Sequence, residues 1–234
     1  MSKEKKILSS MLQHQKIKIM KPTIYFSTIL LAVFISVSAF KPVGKTENAN
    51  AITSVIKAPA ATKWVADKAH SSVKFTVTHM VISEVEGTFK VFEGGMENTK
   101  DDFSDAKISF SIDVNSVNTD NENRDKHLKS DDFFNAEKFP AMKFESTSFV
   151  AAGNNKYKLN GNLTIRDVTK PVSFDVSFGG IAKTQRGNKA GFKATTTINR
   201  FDYNLKWSAA TETGGLVVSK EVAVTVNVEL NEVK

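Results

Sequence analysis

Ser72–His79 reads SVKFTVTH, and its two faces decide the fold. Val73, Phe75, Val77 and His79 fall on one side, while Ser72, Lys74, Thr76 and Thr78 fall on the other. Successive side chains of an extended chain point to opposite faces, so this period-two pattern is that of a half-buried strand. The pattern recurs along most of the chain. Val85, Gly87, Phe89 and Val91 alternate with Glu86, Thr88 and Lys90. Ala106, Ile108, Phe110, Ile112 and Val114 alternate with Lys107, Ser109, Ser111 and Asp113. Met142 and Phe144 open a further run, and Tyr157, Leu159, Gly161, Leu163 and Ile165 form the next. Val172–Phe178, Ala190–Ile198 and Val222–Leu230 bring the number of strands to eight, with Lys63–Asp67 as a short lead-in. Turn residues separate the runs at Gly94-Gly95, Gly153-Asn154-Asn155, Asp167–Pro171, Gly179-Gly180, Gly187-Asn188 and Gly214-Gly215. Strict alternation favours an antiparallel sheet, dry on one face and wet on the other. The predicted class is all-β, eight antiparallel strands closing as a sandwich or an up-and-down barrel. An eight-stranded barrel is about wide enough for one small ligand, so its dry face suits either lining a cavity or filling a core.

Composition narrows the function. The 234 residues include no cysteine, which removes disulfides, thiolate metal sites and cysteine nucleophiles together. Net charge is +7, but residues 1–39 hold six lysines and one acid, leaving 26 basic against 24 acidic residues from Phe40 onward, or +2. That near-neutral remainder gives no electrostatic footprint for nucleic acid. There are 17 Phe against 3 Tyr and 2 Trp, a bias toward a greasy interior, since Phe carries no polar handle.

Lys16–Lys21 is basic, Ile24–Val37 is an apolar run of 14 residues, and Ser36, Ser38 and Ala39 are small. These are the three parts of a secretory signal peptide, expected over 1–39, with Met20 as an alternative start. The run is short of the roughly 20 apolar residues of a membrane span, the competing reading as an uncleaved anchor, so no stable span is expected after cleavage. Phe40–Thr62 is small, polar and aperiodic and reads as a flexible tether, leaving 63–234 as the folded domain. The expected location is periplasmic or secreted.

One segment breaks the alternation. Asn118–Pro140, NTDNENRDKHLKSDDFFNAEKFP, is a long polar insertion that brings Arg124, Asp125 and His127 close together and then offers Phe133, Phe134 and Phe139. Loops this long inside a compact domain are usually functional or disordered, and the aromatics argue against disorder. Asp120 or Asn121 can cap a helical turn running to Lys129, and Ser130 or Asp131 a second short one, so a helical insertion is expected around 120–135.

Specific motifs then accumulate: Trp64-x-x-Asp67-x-x-His70-Ser71, Phe75-x-Val77-x-His79, Gly87-x-Phe89 and Val117-Asn118-Thr119. They continue with Arg124-Asp125-x-His127-Leu128-Lys129-Ser130, Phe133-Phe134, Pro140-x-x-x-Phe144, Gly161-x-Leu163-Thr164-Ile165 and Asn199-Arg200-Phe201-Asp202-Tyr203. In these features the chain resembles the YceI family of exported, lipocalin-like barrels, from about Lys63 to the C-terminus. The resemblance implies an extended eight-stranded antiparallel barrel that holds an isoprenoid-type lipid, a polyisoprenoid or a quinone, in its lumen. Asp167 departs from the family pattern, where glycine is usual, and a local change of turn geometry is expected there, since Asp tolerates φ > 0.

Val73, Phe75, Val77, Phe89, Phe110, Ile112, Phe144, Leu163, Phe174 and Phe192 share the dry face and are the expected lumen lining, together with His79. Core packing alone also explains them. Arg124, Asp125, His127 and Arg200 are candidates for contact with a ligand head group or for anchoring a loop; an arginine fork suits phosphate or carbonyl oxygens. His70, His79 and His127 invite a metal, but no HExxH and no zincin spacing is present. No GxSxG elbow or other nucleophile motif occurs, so neither a metal nor a catalytic residue is assigned. No cofactor beyond the bound lipid or quinone is implied. The expected function is non-catalytic binding, storage or transport of an amphiphilic lipid. The alternative is an exported interaction module with a filled core, and a homodimer stays open under both.

Overall fold

The structure, a computed structural model, describes residues 60–212 and 214–234; the expected signal segment and nearly all of the expected tether lie outside them. The elements run β1 (Thr62–Ala66), β2 (Ser72–His79), β3 (Ser83–Phe89), β4 (Phe92–Asn98), β5 (Lys107–Asp113), β6 (Val117–Asn118), α1 (Glu122–Lys129), β7 (Ala141–Gly153), β8 (Lys156–Ile165), β9 (Val168–Thr184), β10 (Gly187–Asn199) and β11 (Val218–Val233).

All strand pairing is antiparallel, and the neighbour order β1-β4-β5-β7-β8-β9-β10-β11 returns to β1, so the sheet closes into an eight-stranded barrel. Closure removes free sheet edges. The three additional strands are continuations. β2 pairs with β11 beyond the stretch that β1 uses, β3 pairs with β2, and β6 with β3. Thus β1–β2, β3–β4 and β5–β6 are long strands broken at Asp67–Ser71, at Lys90-Val91 and at a 3-10 turn, Val114–Ser116.

β4 carries no alternation because Gly94-Gly95, which reads as a turn, lies in its middle. The reason is crowding. A Cβ on Gly95 would collide with the Trp64 carbonyl oxygen on β1, and one on Gly94 with the Ser109 carbonyl on β5. Glycine inside a strand marks such close backbone approach. Gly179-Gly180 likewise lies inside β9, at a register shift opposite Gly191/Phe192. The β8–β9 hairpin also differs from expectation: Arg166, with φ 55°, takes the left-handed position that the sequence suggested for Asp167. Pro171 pairs with Asn162, where β9 has only β8 beside it and the missing N–H disrupts no second ladder.

One end of the barrel is stoppered. The β4–β5 connection crosses it and buries Phe103, which is 1% exposed and meets Trp64, Phe178 and Phe192 edge-on at ring distances of 5.4–5.9 Å. The connection is tied down by Asp105, which accepts from the Thr99 and Lys100 amides, and by the Tyr157 hydroxyl donating to the Asp102 carbonyl at 2.9 Å. Phe103→Ala should lower unfolding stability by about 3–5 kcal/mol, the usual range for emptying a buried aromatic site, as a fall in the denaturation midpoint.

Candidate functional site

The barrel encloses a cavity of about 220 Å³ running between the two ends. Val73, Phe75, Val77, Phe89 and Phe110 line it, as do Ile112, Phe144, Leu163, Phe174 and Phe192. His79 does not: it is the last residue of β2, one inward-facing position beyond Val77, and pairs with Val218 at the rim. Every lining residue other than Lys74 and Arg200 is apolar. Lys74 is exposed on the wet face. Toward the Phe103 stopper the wall is built from Met96, Phe149, Leu159, Val176 and Leu230, and toward the other end from Leu128, Phe134, Leu205 and Val218.

The insertion closes much of that second end. β6 pairs only two residues of β3, and the chain after it folds across the gap toward β7. Asn121 caps α1 by accepting from the Arg124 amide at 3.0 Å. The second helical turn expected near Ser130 is instead a run of hydrogen-bonded turns; the Phe134 amide donates to the Leu128 carbonyl and the Ala136 amide to the Lys129 carbonyl. These turns direct Phe133 and Phe134 inward, where Phe134 meets Phe89 edge-on at 5.8 Å.

The polar candidates are spent on the fold. Asp125 is buried and accepts from both the amide and the hydroxyl of Thr119, at 2.9 and 2.6 Å. Arg124 donates to the Thr119 hydroxyl and carbonyl at 2.8 and 2.7 Å. His127 pairs with Asp132 at 2.8 Å and sets its ring edge-on against Phe133 and Trp207. Arg200, 4% exposed, donates to the carbonyls of Leu205, Trp207, Val218 and Ser219 at 2.6–3.0 Å. Burial pulls its pKa below the usual guanidinium value. All four make hydrogen bonds or ion pairs within or between loops.

Arg166 is the residue the sequence did not announce. From the β8–β9 turn it donates to the carbonyls of Asp131, Phe133 and Asn204 and pairs with the Asp131 carboxylate at 3.1 Å, tying the insertion to the 204–217 loop. Its left-handed backbone is what aims the side chain across the barrel end; no periodicity encodes that.

Profile comparison matches the YceI-like domain to residues 64–230. The chain belongs to the YceI-like family. A UPF0312 protein of Staphylococcus aureus (strain N315) is 37% identical over 172 residues, 73% of this chain and 98% of the relative. A YceI protein from Campylobacter jejuni, 36% identical, superposes with a TM-score of 0.58 over 67% of this chain and 90% of its own. Burkholderia cenocepacia BcnA shares the fold at 24% identity, with a TM-score of 0.61 over 70% of this chain and 98% of its own. So does a polyisoprenoid-binding domain from Saccharophagus degradans, at 16% identity and 0.54, over 73% and 98%.

Among the histidines of the described residues, only His70 joins other potential metal ligands. With Asp67 and Glu229 it forms a cluster at the β1–β2 break, already occupied by the Lys189 ammonium, which lies 3.1 Å from Asp67 and 2.6 Å from Glu229. Hydrogen bonds from His70 and then Lys189 hold the Asp67 carboxyl well below the usual carboxylate range. A depressed folded pKa contributes stability above the unfolded value, and that contribution fades as pH falls toward the folded one. Acid titration of stability below about pH 4, the ordinary Asp range, should therefore be shallower in Asp67→Asn than in the wild type. Arg166→Met should cost about 2 kcal/mol, since it leaves the carbonyls of Asp131, Phe133 and Asn204 without this donor, and should speed amide exchange in 131–136 first.

Proposed function

We propose that this protein binds, stores or carries an amphiphilic isoprenoid-type lipid, a polyisoprenoid or a quinone, non-covalently and outside the cytoplasm. The observation that carries the reading is the lumen itself: a continuous dry tube whose polar border residues are turned outward or already saturated. A volume near 220 Å³ is below the roughly 300–1,000 Å³ of sites for compact ligands and suits a thin, flexible tail. Burying a CH₂ group contributes about 0.8 kcal/mol, so each carbon of the tail that enters the tube adds to affinity. Ordering and association consume much of that gain. Without a free polar group in the tube, affinity follows tail length more than head chemistry. The tail would lie toward the Phe103 stopper and the head near α1 and the 204–217 loop. The polyisoprenoid-binding domain of Saccharophagus degradans, built on the same fold, supports the ligand class. Export is supported by the basic, apolar and small-residue succession of the N-terminal segment.

Native mass spectrometry of the purified protein, before and after incubation with prenyl lipids, tests the reading. A bound prenyl species is expected, lost in Phe110→Trp with the fold intact by circular dichroism. A barrel that stays empty with every prenyl lipid offered overturns it in favour of a filled-core interaction module.

A further inference from the structure

The β2–β3 hairpin ends in three consecutive apolar residues, Met80, Val81 and Ile82, which are 46%, 71% and 86% exposed. Apolar groups at such exposure contribute little buried area to the fold. Met80 and Val81 take left-handed backbone angles of 50° and 68°. For a β-branched residue that geometry is a genuine outlier, where Gly or Asn would be free of strain. The tip is fastened by the Met80 amide donating to the Val217 carbonyl at 2.8 Å and by the Ile82 amide donating to the His79 carbonyl. Beside it lie Gly214–Val217 and the start of β11, where Gly215 admits the Val81 side chain at close range. Neither 80–83 nor 214–219 contains a charged residue; the exposed Glu84 and Lys220 adjoin them. Both sit at the end of the barrel remote from the Phe103 stopper, and Val77 and Val218, which adjoin them, line the cavity.

We propose that this uncharged tip is a membrane-docking element that inserts shallowly into a lipid bilayer and sets the open end of the lumen against it. The inference rests on the lipid-carrier reading. Two features choose a bilayer over a protein partner: the exposed apolar side chains are gathered at a single hairpin tip, and that tip adjoins a cavity suited to bilayer components. The absence of basic residues from both loops makes apolar insertion, and not attraction to anionic lipid, the source of binding.

The chain has no cysteine, so Ile82→Cys provides a single labelling site in the full-length protein. With an environment-sensitive NBD label there, phosphatidylcholine vesicles should shift the emission to the blue, and spin-labelled lipid should quench it. The same label at Gln185→Cys, in the β9–β10 turn at the stoppered end, should not respond. Vesicles containing phosphatidylglycerol, or added salt, should change little. In a Val81→Gly/Ile82→Ser protein, where glycine also relieves the strained backbone, transfer of a prenyl lipid from vesicles should slow by about tenfold or more, a loss of about 1.4 kcal/mol. Uptake of the same lipid from detergent should be unchanged. A silent label at 82, equal responses at 82 and 185, or a tip-dependent dimer in size-exclusion chromatography overturns the docking proposal while detergent uptake persists. Failure of detergent uptake in the wild type overturns the lipid reading instead.

Discussion

β1 is hydrogen-bonded on both sides at once, to β11 through Lys63–Ala66 and to β4 through Thr62–Val65. Together with β2, its continuation, which pairs with β11 and β3, that double pairing turns an open, twisted sheet into a tube, and everything else depends on it. Without it two long edges would face solvent, the Phe-rich inner face would collapse or aggregate, and there would be no lumen. The crowding that makes Gly95 necessary is the local cost of closure: β4 passes so near Trp64 that no side chain fits. Trp64 in turn fixes the corner, its indole N–H donating to Asn98 at 2.9 Å and its ring supporting Phe103.

Closure explains how labour is divided between apolar and polar residues. The tube has no position at which a charged group could remain hydrated, so charges are confined to the ends and the outer face. There they meet backbone groups that the broken strands leave unpaired. Arg200 collects carbonyls from the 204–219 region, Arg166 collects carbonyls from the insertion, and Asp125 receives both donors of Thr119. Arg200, Arg166 and Asp125 thus engage in loop closure. On the proposed lipid reading, shape and dryness would recognise the guest and discriminate by length and thickness more than by functional group.

Much of this was legible in the sequence. Runs such as Ala106–Val114 and Val222–Leu230 face a dry interior on one side only, and the period-two rule reads them directly. The cap at Asn121, one of two candidates, was also legible, because capping is a local signal. β4 was not, since its glycines answer to neighbours 31 residues upstream and 15 downstream in the chain. His79 misled because alternation continues to the end of β2 while the enclosed volume stops before it. Arg166 was invisible for a different reason. Its partners, Asp131, Phe133 and Asn204, converge only after the insertion and the last loop have packed together.

The Phe103 stopper has a kinetic consequence. A tube sealed at one end permits no through-passage: a threaded chain must leave as it came, sliding out along its full length past the rim. The barrier to departure then accumulates with each methylene drawn from the wall back into water, unless an apolar phase waits at the rim to receive it. Residence time would rise steeply with chain length in free solution and much less against a bilayer. On the lipid-carrier reading, such a vessel would keep its contents in transit and surrender them on contact with a bilayer.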